Sequence, residues 1–239
     1  MAIYKTRISA ESYGHTVGII LIDCRCPFIP GDVGNASTYS YPVLYKTIPG
    51  LTASVIFKEA PEFNDLVVDA ACELADNGVK IISSDCGFML QYQENVRKVV
   101  DLPVVLSSLL QLPFIASTMN PSHPIGIITA DAEYLSKDFL SNSRIKVKNP
   151  LIIKGLQKQP EFRRATIDEK GTLDSDMIRM EVVKLAQSMI AEYSDMGAIL
   201  LECSMLPPYA KAVQETTGLP VYDFITMIDY VQAVTYRKS

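Results

Sequence analysis

The 239-residue chain contains no apolar run approaching the ~18 to 20 residues that span a bilayer. Its first dozen residues lack an apolar export stretch, which predicts a cytoplasmic protein. Basic charge is scarce and scattered, with 22 Lys and Arg against 27 Asp and Glu, so nucleic acid is not an expected partner. Histidine occurs twice. Cysteine occurs five times, and an odd count without an export signal reads as reduced thiols, not a disulfide framework. Cys24 and Cys26 form an isolated C-x-C, too sparse in sequence for zinc, so no metal is expected. Asn35-Ala36-Ser37 fits the glycosylation pattern but carries no meaning in a cytoplasmic chain. What remains is an ordinary globular composition, 48% hydrophobic and 21% charged, enough for one large core or two modest ones.

The chain repeats itself. His15-Thr16-Val17-Gly18-Ile19-Ile20-Leu21-Ile22-Asp23 recurs as His123-Pro124-Ile125-Gly126-Ile127-Ile128-Thr129-Ala130-Asp131, matching at five of nine positions. Asp76-Asn77-Gly78, an apolar run and Cys86 are echoed by Asp195-Met196-Gly197, an apolar run and Cys203. After each cysteine a tyrosine follows at the sixth position (Tyr92, Tyr209) and a valine at the tenth (Val96, Val213). Leu-Pro-Val then begins at the sixteenth, as Leu102 and Leu219. This ordered series predicts two homologous halves.

Short Val- and Ile-rich runs without alternation read as strands buried on both faces of a parallel sheet. They fall at about 17–22, 52–57, 79–84 and 103–106, and again at about 125–130, 150–153, 197–202 and 219–222. A helix opening at Pro61 places Leu66, Val67, Ala70, Ala71 and Leu74 on one face and ends at Asn77-Gly78. Its counterpart starts near Ser175, with Ile178, Val182, Leu185 and Ile190 inward. Strand–helix alternation predicts an α/β architecture of two doubly wound lobes, each with a four-stranded parallel sheet and a cleft between them. The expected lobes are 1–114 and 115–222, with a C-terminal helix, 223–239, packed back on the first. Residues 24–50 hold four prolines, three glycines and three tyrosines and are expected to form an ordered loop capping a site. The polar stretch 157–174 is expected to be a surface excursion without chemistry.

Ligands of open parallel sheets sit beyond the carboxyl ends of the strands. Cys86 and Cys203 both fall there, each before a predicted helix whose N-terminus lowers a thiol's pKa. The backbone N–H of Gly87 or Ser204 could hold an anion. A lone cysteine at a strand end is usually only packing, but two at equivalent points of a duplicated unit face one cleft from opposite sides. Opposed thiols suit removal of a proton from one face of a carbon and its return to the other. No electron-sink cofactor is announced, so none is expected. Asp85 and Glu202 precede the cysteines, and a carboxylate beside a thiol raises its pKa, which favours a structural or substrate-amine role for them. Asp23 could position a substrate or equally cap a turn. Ser84, Ser107, Thr129 and Ser204 are hydroxyls near strand ends, suited to a carboxylate and also common in turns. His15 and His123 start their strands, away from the cleft; Arg25 and Lys46 read as solvated charges.

Ser83-Ser84-Asp85-Cys86-Gly87-Phe88, Leu201-Glu202-Cys203-Ser204-Met205-Leu206-Pro207-Pro208-Tyr209 and Gly126-Ile127-Ile128-Thr129-Ala130 resemble the aspartate/glutamate/hydantoin racemase superfamily, over nearly the full length. The Gly31-Asp32-Val33-Gly34-Asn35 loop is similar to that of its loosely characterised members. The resemblance implies a cofactor-independent isomerase, a racemase or epimerase of a small amino acid or related carboxylic acid, with Cys86 and Cys203 as its two bases. Substrate contacts are then expected from Asp23, Ser84, Gly87, Phe88, Thr129 and Ser204. The implied partner is a small anion of the amino-acid or dicarboxylic-acid class, and the implied assembly a homodimer. Glutamate racemases carry Cys-Asn-Thr and Cys-Thr-His where this chain has Cys86-Gly87-Phe88 and Cys203-Ser204-Met205, so the groups that grip glutamate are missing. A cis–trans isomerase or decarboxylase on the same scaffold, or a non-catalytic binder of small anions, are the competing expectations.

Overall fold

The computed structural model describes residues 12–236 apart from 136–138, 141, 142 and 144, together with residues 3, 5–8 and 10. The last three positions of the expected C-terminal helix, 237–239, lie outside the described residues. Among the described residues, eight strands form two all-parallel sheets of four. The first contains β1 (Val17–Leu21), β2 (Val43–Thr47), β3 (Ile81–Ser84) and β4 (Val104–Val105), in the order β2-β1-β3-β4. The second contains β5 (Ile125–Thr129), β6 (Leu151–Gly155), β7 (Ala198–Leu201) and β8 (Val221–Tyr222), in the order β6-β5-β7-β8. Registers repeat as well: Val17 pairs with Val43 and Ile81, and Ile125 with Leu151 and Ala198. The duplicated sequence motif is thus the central strand of each sheet.

One strand differs from expectation. Residues 52–57 form no strand; Ala53–Ile56 is a single helical turn. The edge strand β2 lies instead inside the segment expected to be a loop. Val43 to Lys46 are only half-buried and Thr47 is exposed, so it lacks the continuous apolar run that marks an interior strand. The stretch 157–174 is likewise structured, with a helical turn at Pro160–Phe162 continuing into a π-helical turn at Arg163–Ile167.

Helix Asn64–Asp76 buries Val67, Ala70, Ala71 and Leu74, the i, i+3, i+4, i+7 face, while Leu66 is 49% exposed and does not belong to it. Helix Ser175–Glu192 is capped by Asp174, whose carboxylate accepts from the amides of Asp176 and Met177 at 3.1 and 3.0 Å. Its inward face is Ile178, Val182, Ala186 and Met189; Leu185 and Ile190 are only partly buried. The glycine repeated in the two central strands has a packing cause. A Cβ on Gly18 would stand 3.1 Å from Leu74 Cδ1, and one on Gly126 would stand 2.7 Å from Met196 Sδ. Helix Phe224–Thr235, opened by a capping box between Asp223 and Thr226, sets Phe224, Met227 and Ile228 in one cluster with Val17, Ile19 and Ile81 of the first sheet. No helix among the described residues is long and apolar enough to cross a membrane.

The chain runs from β1 outward to β2, then crosses to β3 on the other side of β1, and the second sheet repeats this with β5, β6 and β7. Such a reversal opens a crevice at the carboxyl ends of the central strands. It sits above β1 and β3 in one lobe and above β5 and β7 in the other.

Candidate active site

Asp85 and Cys86 follow β3; Glu202 and Cys203 follow β7. Both cysteines line one cavity of about 50 Å³. Its polar wall is Asp85, Cys86, Gly87, Glu202, Cys203 and Ser204, joined by Cys24 and Thr166. Its apolar wall carries four aromatic rings, Phe28, Phe57, Phe88 and Phe162, and among the described residues no Lys, Arg or His lines it. Phe57 and Phe88 pack with ring centroids 4.8 Å apart.

Of the residues expected to contact substrate, Gly87, Phe88 and Ser204 line this cavity with the two cysteines, whereas Asp23, Ser84 and Thr129 do not. The Asp23 carboxylate accepts from the Gly50 amide at 2.9 Å. The Ser84 hydroxyl donates to the Leu106 carbonyl at 2.5 Å and lies 3.3 Å from that of Cys86, tying the first cysteine loop to its neighbour. Thr129 stands behind the wall, its hydroxyl donating to Glu202 Oε2 at 2.6 Å. The histidines, Arg25 and Lys46 are absent from the lining, and Lys46 pairs with Glu73 at 2.7 Å.

The two cysteine loops are latched across the lobes. The Ser204 hydroxyl donates to the Asp85 carbonyl, and the Ser108 hydroxyl reaches the carbonyls of Leu201 and Glu202 at 3.2 and 3.1 Å. The 31–35 loop joins the same seam. The Val33 amide donates to the Ser204 carbonyl at 3.4 Å, and Gly31, at φ 98°, lies so near Pro208 that a Cβ would stand 3.2 Å from its Cα. Sequence reading did not reach Phe28, Phe57 and Phe162. Phe162 and Thr166 come from the segment expected to lack chemistry, and their only sequence signal is a four-residue spacing within polar surroundings.

Burial dominates the electrostatics. It lifts Asp85 to about 7 against the hydrogen bond from the Ile22 amide at 2.9 Å. It lifts Glu202 to about 7 against the hydrogen bonds from the Thr129 hydroxyl and the Ala130 amide. Glu202 Oε1 is buried without a hydrogen-bond partner among the described residues. Both active-site thiols stand well above the ordinary value, through burial first and the Glu202 carboxyl second. This corrects the expectation that helix termini would lower them. The structure following Cys86 is the 3-10 helix Gly87–Tyr92, and near Cys203 the 3-10 turn Pro207–Tyr209, and neither offsets the desolvation.

No family model matches the chain. A dimethylsulfoniopropionate lyase of Durusdinium sp. clade D is 33% identical over 224 residues, covering 90% of this chain and 73% of that protein. Dimethylsulfoniopropionate lyase 7 of Emiliania huxleyi is 35% identical over 221 residues, covering 88% of this chain and 64% of that protein. The chain therefore spans about three quarters of one relative and under two thirds of the other. Among solved structures, unliganded arylmalonate decarboxylase superposes with a TM-score of 0.62 at 14% identity, over 94% of each chain. Allantoin racemase from Pseudomonas fluorescens superposes with a TM-score of 0.60 at 15% identity, over 92% of this chain and 90% of that one. Picrophilus torridus aspartate racemase gives 0.57 at 15%, over 93% of each chain. The fold is that of the aspartate/glutamate racemase superfamily.

The expected function is corrected. Relatives in sequence carry the name of a lyase, which overturns the isomerase class and with it the two-base racemase or epimerase and the cis–trans isomerase. A pair of cysteine loops at equivalent strand ends identifies the scaffold and leaves the reaction to the walls around them. By sequence, the chain belongs to the dimethylsulfoniopropionate lyase family.

Proposed function

We propose that this protein is a lyase for dimethylsulfoniopropionate or a close β-sulfonio carboxylate, releasing the dialkyl sulfide by elimination. The observation that carries the reading is the charge of the cavity. It holds two buried carboxyls and four aromatic rings without a cationic side chain among the described residues, an environment suited to a cation. A dicarboxylate without an amine would lack a counter-charge there. A sulfonium zwitterion brings its own.

Elimination needs one base. Cys203 is the better placed, being partly exposed, whereas Cys86 is buried. A sulfonium bound beside the thiols favours thiolate in the complex, and Glu202 in its neutral form no longer opposes it. Cys203 thiolate takes the proton from the carbon next to the substrate carboxylate. The pair of electrons left behind forms the double bond as the β-carbon–sulfur bond breaks. Dimethyl sulfide departs with the electrons of that bond, acrylate remains, and the Cys203 thiol returns its proton to solvent. Glu202, neutral below about 7, donates from its unpartnered Oε1 to the substrate carboxylate as charge builds on it, and Thr129 holds the other oxygen. Cys86 donates a weaker hydrogen bond from the opposite wall.

The test is incubation of the purified chain with dimethylsulfoniopropionate, reading dimethyl sulfide by gas chromatography and acrylate by proton NMR. Equimolar release of both is expected, with Cys203→Ala reducing it by at least ~1000-fold and Cys86→Ala by ~10- to 100-fold. Absence of both products, or full activity in Cys203→Ala, overturns the reading.

A further inference from the structure

Folding supplies the third donor that the sequence placed out of sight of Cys24 and Cys26. The two sulfurs lie 2.9 Å apart, and Glu169, from the far lobe, brings a carboxylate oxygen so that all three donor atoms lie within 4.8 Å of one another. Among the described residues this is the one group of three or more His, Cys, Asp or Glu side chains placed closely enough to share an ion. It sits outside the chemistry proposed above, although Cys24 also lines the cavity.

We propose that Cys24, Cys26 and Glu169 form a binding site for a thiophilic divalent cation of the zinc class, set at the edge of the active-site cavity. Two sulfurs and one carboxylate oxygen suit a soft-to-borderline ion of tetrahedral preference and are a poor set for magnesium or calcium. Three protein donors leave the fourth position to solvent, as in open zinc sites. Outer contacts already orient the donors. The Arg25 amide donates to Glu169 Oε2 at 3.1 Å, fixing one oxygen, whereas the Cys26 thiol donates to the Thr166 carbonyl at 3.4 Å and gives up that contact when the ion takes its proton. Binding displaces the thiol protons to buffer and leaves both sulfurs as thiolates on the ion. Because Cys24 belongs to both places, an ion held there draws one sulfur of the cavity wall into its own coordination shell and joins the two lobes through residues 24–26 and 169.

The experiment uses the full chain, reduced and freed of metal, titrated with cobalt(II) and then with zinc(II). Cobalt is expected to give a near-ultraviolet thiolate-to-metal absorption band that saturates at one equivalent and is discharged by zinc. Cys26→Ser should abolish the band, and Glu169→Gln should weaken binding by at least about tenfold. Cys72→Ser, whose sulfur lies on helix Asn64–Asp76, should leave it unchanged. Saturating zinc should also slow alkylation of Cys24, read by peptide mass spectrometry. A protein that binds no cobalt, or a band that persists in Cys26→Ser, overturns the proposal. Glu169→Gln, carried on a partly exposed side chain, keeps the test open should Cys26→Ser fail to fold; unchanged affinity in that variant removes Glu169 from the site and overturns the three-donor assignment. Every readout is independent of lyase turnover.

Discussion

Glu202 of the second lobe lies so close to Gly87 of the first that a Cβ on Gly87 would stand 1.7 Å from Glu202 Oε1. The first cysteine loop presents bare backbone at this point, and the carboxyl of the second loop fills the space a side chain would take. Gly87→Ala therefore drives Glu202 off the Thr129 hydroxyl and out of the cavity wall. The displaced atoms are the end of a side chain and not backbone, so the fold absorbs the change within about 1 to 2 kcal/mol. Turnover should fall by at least ~100-fold, the scale of losing one well-placed donor to developing charge. Thermal melting beside dimethyl sulfide release checks both halves; equal losses in stability and turnover would count against this role for Gly87.

Thr129 acts through the same carboxyl. Its hydroxyl lowers the Glu202 pKa against the larger effect of burial, so removing it in Thr129→Val lifts Glu202 further above about 7. Activity that needs neutral Glu202 declines as pH rises through that value. In Thr129→Val the descending limb of the pH–rate profile should move to higher pH, alongside a lower maximum because the carboxyl is less well held. A limb that stays in place, or moves to lower pH, contradicts the assignment of Glu202 as the neutral donor.

The duplicated motifs made the centre of the molecule legible before its edges. β1 and β5 are buried on both faces, so their apolar runs read directly as parallel strands, and the repeat set Cys86 and Cys203 at matching ends. β2 was hidden because its Leu44, Tyr45 and Lys46 are half-buried on an edge, while the apolar run ending at Ile56 and Phe57 folds as one helical turn with Ile56 in the core. Short apolar runs do not distinguish the two outcomes; tertiary packing decides. The carboxyls beside the cysteines were visible as residues, but their desolvation was not, since it depends on the opposite lobe closing over them. Glu169 meets Cys24 and Cys26 only after both lobes are built.

Buried carboxyls held above their ordinary range give stability its pH dependence, and burial raises Asp223 in the same direction as the three followed next. Burial lifts Asp32 from 3.8 to about 8, and Asp85 and Glu202 to about 7. The folded protein thus keeps protons that the unfolded chain releases above about pH 4. Stability from these groups is fully present below that pH and is lost as pH rises through about 7 to 8. The melting temperature should therefore fall from pH 5 to pH 8.5. Asp32→Asn keeps an oxygen for the Gly34 amide, which now donates to Asp32 Oδ1 at 2.9 Å, while removing the ionisation. It should raise the melting temperature several times more at pH 8.5 than at pH 5, flattening the profile. Differential scanning calorimetry at the two pH values decides it, and a wild-type melting temperature that rises with pH would contradict the account.

Phe57 provides the sharpest test of the cavity's charge preference, because its ring can be removed at nearly constant volume. It is only partly buried, packs on Phe88 with centroids 4.8 Å apart and stacks on Tyr134 at 5.6 Å, so Phe57→Leu should fold. The substitution keeps apolar contact and deletes the negative face of the ring, a change worth about 0.5 to 2 kcal/mol toward a desolvated cation. KM for dimethylsulfoniopropionate should rise between about 2- and 30-fold, with a smaller change in kcat. The neutral-tailed isostere 4-methylpentanoate, in which a CH group replaces the sulfonium sulfur, separates charge from shape. As a competitive inhibitor it should bind wild type more weakly than the sulfonium acid and lose little further affinity in Phe57→Leu. If both ligands weaken equally, the ring contributes shape alone, and recognition of the sulfonium passes to Asp85 and the thiols.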